Sequence, residues 1–339
     1  MVQPQASKFH VAMFPWLAMG HMTPFLHLSN ELAQRGHKIS FLLPKKAKFQ
    51  LQDNNLHPDL ITLHGLAVPH VGGLPHGTET ASEIPIYLNG LLATAMDLMR
   101  DQVEESLRDL KPDMVFYDAA HWIPELATDI GFKTVCYKVV SAASVAIALV
   151  PARYPSSTVV LRGHEARALS FIALEFGSGI SFYERTTTSM KQCDVIAIRT
   201  CQEVEGPMCD YIGDQYGKKV LLTGPVLPEP PKVPLEDRWA KWLDGFAQGS
   251  VIFCALGSQW VLEKNQFQEL LKVAVEVERD ENGWFSKESL SKGIKCVMDK
   301  YSEVGRLLKK NHAKWKEALV RPGYMDDYID KFIDNLHEL

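Results

Sequence analysis

The sequence lacks most of the short patterns that identify common classes of protein. Its six cysteines are scattered over 339 residues, with no C-x-x-C pair. That spacing favours reduced, mostly buried thiols over a zinc site or a disulfide framework. No P-loop, G-x-G-x-x-G, H-E-x-x-H or G-x-S-x-G occurs, which argues against a kinase, a dehydrogenase, a zinc protease and an α/β-hydrolase.

Charge and hydropathy argue against further classes. Asp and Glu outnumber Lys and Arg by 41 to 36, so the formal net charge is −5 and no overall basic field is available to hold a nucleic acid. The first residues are polar and lack the apolar core of a signal peptide. The main charge-free apolar stretch, residues 139–152, is shorter than the ~20 residues of a membrane-spanning helix. We therefore expect a folded, cytoplasmic protein that does not insert stably into a membrane. We also expect it to be a monomer.

Short apolar strands alternate with amphipathic helices in the first half of the chain. A helix is predicted to begin at Thr23-Pro24 and to end at Gly36, because Thr before Pro is a helix-start signal and Gly a helix-stop signal. A longer helix is predicted over residues 84–110. The pattern predicts an α/β fold with a doubly wound parallel sheet. Strands are predicted at residues 9–16, 37–43, 60–66, 113–118, 134–140, 194–199 and 219–223.

A proline-rich run between Pro225 and Pro234 predicts the domain boundary, because such a run continues neither a sheet nor a helix. We divide the chain into residues 1–235 and 236–339. The second part has only two strand patterns, whereas a complete doubly wound domain needs several βα units of ~30 residues. It is therefore predicted to be an incomplete domain. Its strands are predicted at 250–256 and 273–277, and its helices at 238–246, 263–271, 286–299, 302–319 and 324–336.

Two residues at predicted strand ends could carry out acid–base chemistry. His21 follows the first strand, and Asp118 ends the strand VFYD. Ligands bind at the carboxyl ends of parallel strands. An imidazole there can take a proton from a bound hydroxyl, and a carboxylate on its other nitrogen fixes the tautomer. A loop or helix-capping role is the alternative for each, and His121 is a weaker candidate for the base.

A third candidate site is the Gly257-Ser258 pair at the end of the strand predicted at 250–256. Glycine and serine ahead of a helix can present backbone N–H groups to a phosphate. Ordinary turn chemistry is the alternative, because Gly-Ser pairs are common in turns.

These segments resemble the plant UDP-sugar-dependent glycosyltransferases, which have two Rossmann-like domains in the GT-B arrangement. The stretch FPWLAMGHMTPFLHLSNELAQRGHKISFLLP carries the resemblance, and VFYDAAHWIPELA, LLTGPV, CALGSQ and GWFSKESL agree with it. The branch it most resembles adds a second sugar to flavonoid or anthocyanin 3-O-glucosides. The resemblance covers nearly the whole chain.

The resemblance implies transfer of a sugar from a UDP-sugar with inversion, without a metal or another cofactor. His21 matches the general base of the family, Asp118 its orienting carboxylate, and Ser258, beside Gly257, a serine near the donor diphosphate. The implied partners are a UDP-sugar and a flavonoid-like acceptor. Flat apolar side chains suit such an acceptor, although core packing is the alternative. The candidate acceptor-binding residues are Trp16, Met19, Gly20 and Trp122.

The sequence departs from the family in its second part. The family's donor-binding box contains W-x-P-Q, H-C-G and a closing D-Q. Neither W-x-P-Q nor H-C-G occurs here, and the second part, residues 236–339, contains no D-Q. About three βα units, on the order of 100 residues, are predicted to be absent between Lys272 and Val273. Two functions remain open, an impaired glycosyltransferase and an acceptor-binding domain without activity. A folded scaffold without a specific ligand is a third option.

The last helix is implied to return to the first domain, because its apolar stripe needs a surface to cover. The stripe consists of Tyr328, Ile329, Phe332, Ile333 and Leu336.

Overall fold

The computed structural model describes residues 7–152, 167, 169–227, 234–246, 286–299 and 301–339. Seven strands of these residues form one parallel sheet in the order β3-β2-β1-β4-β5-β6-β7. The predicted α/β class and the seven strands of the first half are confirmed. The strands are β1 (His10–Phe14), β2 (Lys38–Pro44), β3 (Ile61–Leu66), β4 (Met114–Tyr117), β5 (Lys133–Lys138), β6 (Val195–Ile198) and β7 (Val220–Leu222).

Helices cover both faces of the sheet. Those of the described residues are α1 (Met19–Gln34), α2 (Lys45–Leu51), α3 (Asn89–Asp97), α4 (Arg100–Leu110), α5 (Ile123–Ile130), α6 (Ala142–Ala148), α7 (Phe182–Gln192), α8 (Gln202–Tyr216), α9 (Asp237–Asp244), α10 (Lys287–Met298), α11 (Glu303–Leu319) and α12 (Tyr324–His337). None of the described helices is both long and apolar enough to cross a membrane.

Strand residues alternate between two buried cores, one on each face. In β1, Ala12 and Phe14 enter one core and Val11 and Met13 the other, because successive side chains of a strand point to opposite faces. Helices α3 to α8 contribute to the first core, whereas α1, α2 and α12 contribute to the second. Burial on both faces explains why the strands are continuous apolar runs.

Helix α12 packs on the sheet, which confirms the predicted return of the last helix to the first domain. Phe332 is 1% exposed, and its ring lies 6.1 Å from that of Phe116 in β4. Ile329, Ile333 and Leu336 are buried in the same core.

Polar contacts also hold α12 in place. Arg35, just after α1, contacts Asp326 at 2.7 Å and Asp330 at 2.5 Å. The hydroxyl of Tyr328 donates a hydrogen bond to Glu203 at 2.6 Å, so this member of the predicted stripe is tied to α8 rather than buried in the core.

The predicted start of the first helix is wrong. Helix α1 begins at Met19, with Ala18 as its N-cap, and Pro24 lies inside it. The Met22 N–H already bonds to the Ala18 carbonyl at 2.9 Å. Pro24 is the sixth residue of α1 and has no N–H to donate to the Gly20 carbonyl, so the helix continues through it with one backbone hydrogen bond fewer. The predicted end is confirmed, since Gly36 has a φ of +89° and its N–H bonds to the Ala33 carbonyl.

The single helix predicted over residues 84–110 is also wrong. The structure has a short 3₁₀ turn at Ile86–Leu88, followed by the separate helices α3 and α4. Met96 and Val103 nevertheless enter one core, so the apolar spacing does not reveal the break. The strands predicted at 250–256 and 273–277 and the helix predicted at 263–271 lie outside the described residues, and the boundary at residue 235 stays a prediction.

Candidate active site

The candidate site lies at the carboxyl ends of the adjacent strands β1 and β4. Strands β1 and β4 are adjacent, but the chain leaves β1 toward α1 on one face and β4 toward α5 on the other. A crevice opens at the carboxyl ends of two strands that diverge in this way, and ligands of open α/β sheets bind there. His21 lies in the first turn of α1, and Asp118 directly follows β4.

His21 and Asp118 form a hydrogen bond, as the sequence predicts. His21 Nδ1 lies 2.5 Å from Asp118 Oδ2. An ionised carboxylate only accepts hydrogen bonds, so Nδ1 carries the hydrogen and Nε2 keeps its lone pair. The Asp118 side chain is 4% exposed, whereas that of His21 is 31% exposed. The pair therefore consists of a buried acceptor and an accessible imidazole that can accept a proton.

Two further contacts fix Asp118. The backbone N–H of Trp16 donates to Asp118 Oδ1 at 2.6 Å, so each carboxylate oxygen has a donor. The Lys138 ammonium group, at the end of β5, donates to the backbone carbonyl of Asp118 at 2.9 Å and is itself buried. Side-chain and backbone contacts together leave the carboxylate little freedom to turn away from His21.

The two tryptophans predicted to line an acceptor pocket are both buried. Trp16 is 6% exposed, and its ring lies 5.2 Å from that of Phe176. Trp122 is 3% exposed, packs on Phe14, and donates from its indole N–H to Asp97 at 3.1 Å. Both rings belong to the first core. Trp16 reaches the dyad through its backbone, and the acceptor-binding role of both residues stays a prediction.

The other predicted site residues are placed differently. Met19 is half-buried and packs against the second core. Gly20 is exposed, and an added Cβ would meet no atom within 4 Å, so open space lies next to His21 in the first turn of α1. Gly257 and Ser258 lie outside the described residues, and their contact with the donor phosphate stays a prediction.

Sequence reasoning missed a buried ion pair beside this site. The guanidinium of Arg185, in α7, binds the Asp97 carboxylate at the end of α3, and the Arg185 side chain is 1% exposed. Burial opposes ionisation of Asp97, but the hydrogen bonds from Arg185 lower its pKa overall. Burial, and then the charge of Arg185, lowers the pKa of His121. The residues of the pair are 88 positions apart, and no local pattern links them.

Comparisons with known proteins decide the family. No family model matches the chain. UDP-glycosyltransferase 79B6 of Arabidopsis thaliana is 44% identical over 444 residues, with 98% of each chain covered. The chain belongs to the plant UDP-glycosyltransferases. Anthocyanidin 3-O-glucoside 2'''-O-xylosyltransferase of Arabidopsis thaliana is 42% identical to this UDP-glycosyltransferase, over 99% of this chain and 98% of the relative.

Solved structures agree on the fold of this UDP-glycosyltransferase. Arabidopsis thaliana UGT89C1 superposes with a TM-score of 0.72 at 16% identity, covering 98% of this chain and 100% of that one. The same protein complexed with quercetin gives a TM-score of 0.71 at 17% identity and the same coverage. Identities this low show a shared fold, the GT-B fold of plant UDP-glycosyltransferases.

The comparisons also show that this UDP-glycosyltransferase is shorter than its relatives. The alignment with UDP-glycosyltransferase 79B6 runs over 444 residues, whereas this chain has 339. Both chains are covered to 98%, so the relative has internal residues without a counterpart here. This agrees with the missing segment expected from the sequence, whose position between Lys272 and Val273 stays a prediction.

Proposed function

We propose that the His21–Asp118 pair serves inverting transfer of a sugar from a UDP-sugar to a hydroxyl of a flavonoid or anthocyanin glucoside. The observation that carries this proposal is the hydrogen bond between His21 Nδ1 and Asp118 Oδ2 at the carboxyl edge of the sheet. The acceptor class is supported by the relative named as an anthocyanidin 3-O-glucoside xylosyltransferase.

In this proposal His21 is the general base. Its Nε2 takes the proton of the acceptor hydroxyl while the hydroxyl oxygen forms a bond to the anomeric carbon of the donor. The bond from that carbon to the diphosphate oxygen breaks, and UDP leaves with the electron pair. Asp118 holds the tautomer and stabilises the imidazolium that forms. A positioned base of this kind contributes about 10²- to 10⁴-fold to the rate, and the proposed steps involve only side chains and the two substrates.

We further propose that this chain transfers sugar poorly. Binding of uracil, ribose and diphosphate places the anomeric carbon for in-line attack. The donor-binding box of the family is missing, and Gly257 and Ser258 are the remaining proposed phosphate contacts. A His–Asp pair that faces no oriented donor loses the effective molarity, which is worth roughly 7–11 kcal/mol in well-oriented systems.

The second candidate is an acceptor-binding domain without activity. Two observations favour it. The sheet edge carries the hydrogen-bonded pair of His21 and Asp118, whereas internal residues of UDP-glycosyltransferase 79B6 have no counterpart in this chain. The protein would then hold a flavonoid-like glycoside but bind no donor. In either case we propose a cytoplasmic monomer that binds no nucleic acid. The free cysteines among the described residues support a reducing compartment.

Calorimetry and a product assay test these proposals on the purified chain. We expect a flavonoid 3-O-glucoside to bind with measurable affinity, and UDP-glucose, UDP-rhamnose and UDP-xylose to give little or no product. A His21→Ala variant is the control for any product that forms. Robust product formation that depends on His21 would overturn the proposed impairment. Absence of acceptor binding would overturn the acceptor class and the binding-domain alternative together.

A further inference from the structure

A buried ion pair lies against the segment that carries Asp118. Arg185 Nη1 lies 2.8 Å from Asp97 Oδ1, and Nη2 lies 2.5 Å from Oδ2. Two parallel N–H···O bonds of this kind fix both orientation and distance. The Arg185 side chain is 1% exposed and that of Asp97 is 10% exposed, so breaking the pair leaves a buried charge without its partner.

Both members of the pair bind residues 119–122, which follow Asp118 directly. Arg185 Nη1 donates to the Ala119 carbonyl and lies near His121 Nδ1, each at 3.2 Å. Asp97 accepts the indole N–H of Trp122 at 3.1 Å. The two hydrogens of Arg185 Nη1 are thus shared among three acceptors, and the chain just after Asp118 is attached at three positions.

The same guanidinium reaches Asp118 by a second route. Arg185 Nε donates to the Phe176 carbonyl at 2.7 Å, and the Phe176 ring lies against that of Trp16. The Trp16 N–H is the donor to Asp118 Oδ1. Gly177, which follows Phe176, has a φ of +83°, and a Cβ there would lie 2.6 Å from Arg185 Nη2. Only glycine at this position lets the backbone come so close to the Arg185 guanidinium.

We propose that the Asp97–Arg185 pair is a positioning unit for the His21–Asp118 dyad and fixes His121 as the neutral Nε2–H tautomer. An arginine only donates hydrogen bonds, so His121 Nδ1 must accept and the ring hydrogen resides on Nε2. In this arrangement His121 is a hydrogen-bond donor and does not share the role of base with His21. The importance of the dyad rests on the proposed function, whereas the tautomer of His121 follows from the contacts alone.

The charges around His121 agree with a neutral ring. Burial has the largest effect on its pKa, lowering it, followed by Arg185, and the two outweigh the opposing effects of Asp97 and Glu125. Arg100 also lowers the pKa of His121 and forms a 2.8 Å ion pair with Glu125.

Nitrogen-15 NMR of the imidazoles tests the proposal without requiring catalysis. In the unmodified chain we expect His121 to show the Nε2–H tautomer and to titrate below the ordinary value of about 6.5. Arg185→Met should move the pKa of His121 upward and mix its tautomers. It should also shift the Nδ1–H signal of His21, because the segment that directly follows Asp118 loses its contacts with Arg185. Arg185→Lys keeps the positive charge but cannot form the two parallel hydrogen bonds to Asp97. We expect it to change the pKa of His121 less than Arg185→Met does, but still to shift the His21 signal.

Arg35→Met is the matched control. It removes a partly buried arginine that binds two carboxylates of α12, far along the chain from residues 118–122. We expect lower stability but unchanged His21 and His121 signals. If Arg185→Met does not fold, Asp97→Asn is measured instead, and it should shift the His21 signal. Folded Arg185 and Asp97 variants with unchanged His21 and His121 signals would overturn the proposal. Failure of the unmodified chain to bind an acceptor would refute only the proposed function.

Discussion

The described residues before and after the proline-rich run differ in how they bury apolar surface. Up to residue 227, strands and helices share two cores, one on each face of the sheet. In the later part, α9 and α10 have no buried residue, and Trp239 and Trp242 are 46% and 53% exposed. No strand occurs among the described residues of this later part. Apolar helix faces normally cover a sheet or another helix, so this difference fits the internal residues missing relative to UDP-glycosyltransferase 79B6.

Helix α12 shows that a helix after the proline-rich run can also bury its apolar side chains. It comes last but packs on the sheet of the first part, where Phe332 and Ile329 are buried. It is buried because its partner surface is present. The sheet that carries His21 and Asp118 therefore has helices packed on both faces, whereas α9 and α10 have no buried residue. We propose that the sheet binds the acceptor and that α9 and α10 belong to an incomplete donor-binding part. The following experiments test that contrast.

Restoring the missing segment should have the largest effect. We would insert the unmatched internal residues of UDP-glycosyltransferase 79B6 between Lys272 and Val273. Because a bound, oriented donor restores the effective molarity, transfer to a flavonoid 3-O-glucoside should rise by about 10⁵-fold or more. His21→Ala in the same chimera is the control and should lower the rate by about 10²- to 10⁴-fold. A folded chimera that binds UDP but makes no product would contradict the assignment of the dyad.

Truncating one aromatic side chain in α12 and one in α9 should lower the free energy of unfolding by different amounts. Phe332→Ala removes a ring that is 1% exposed and should cost about 3–5 kcal/mol of unfolding free energy. Trp242→Ala removes a ring that is 53% exposed and should cost about 0.5 kcal/mol or less. Urea denaturation measures both. Equal losses for the two variants would show that α9 is as well packed as α12 and would contradict the difference in burial between the two parts.

The contact between α12 and the start of β1 should weaken in acid. Burial, and then Lys8, lowers the pKa of His37 to about 4. Its Nδ1 accepts the Phe9 N–H at 3.0 Å, and the Phe9 ring lies 4.2 Å from that of His337 in α12. The unfolded chain binds a proton at His37 near pH 6.5, whereas the folded chain does so only near pH 4. Stability is therefore full above about pH 6.5 and falls as the pH is lowered toward 4.

The loss at His37 is at most about 3 kcal/mol, and solvent screening reduces it. Unfolding free energies measured between pH 7 and pH 4 should show this decrease. They should show a flatter profile for His37→Gln. His312→Gln, at an exposed position, is the control and should keep the original profile. An unchanged slope in His37→Gln would assign the acid sensitivity to other groups.

Gly20→Ala is the substitution that we expect to leave stability equal or to raise it slightly. Gly20 lies in the first turn of α1, and an added Cβ meets no atom within 4 Å. Alanine is the better helix former, so stability should stay equal or rise by up to about 1 kcal/mol. If the acceptor occupies the open space beside His21, its affinity should nevertheless fall, as measured by calorimetry. Unchanged acceptor affinity would place the acceptor away from this turn.

The sequence by itself determined the parallel sheet, the family and the two members of the dyad. Strands buried on both faces are continuous apolar runs, which can be recognised locally. His21 and Asp118 could be found because each follows a recognisable strand, and the carboxyl ends of parallel strands share one edge. The stripe of α12 was visible through its helical spacing. Each of these features depends on residues close together in the chain.

Only the tertiary structure decided which distant residues meet. The strand ends placed His21 and Asp118 at one edge of the sheet, but their direct contact across 97 positions depends on the pairing of β1 with β4. Arg185 reaches Asp97 and His121 across 88 and 64 positions, and no spacing rule predicts such contacts. The start of α1 was missed because the Thr23-Pro24 start signal lies inside the helix. The break before α4 was missed because apolar periodicity is the same on either side of it. Chain topology and packing, rather than local preference, bring the buried charges of this site together.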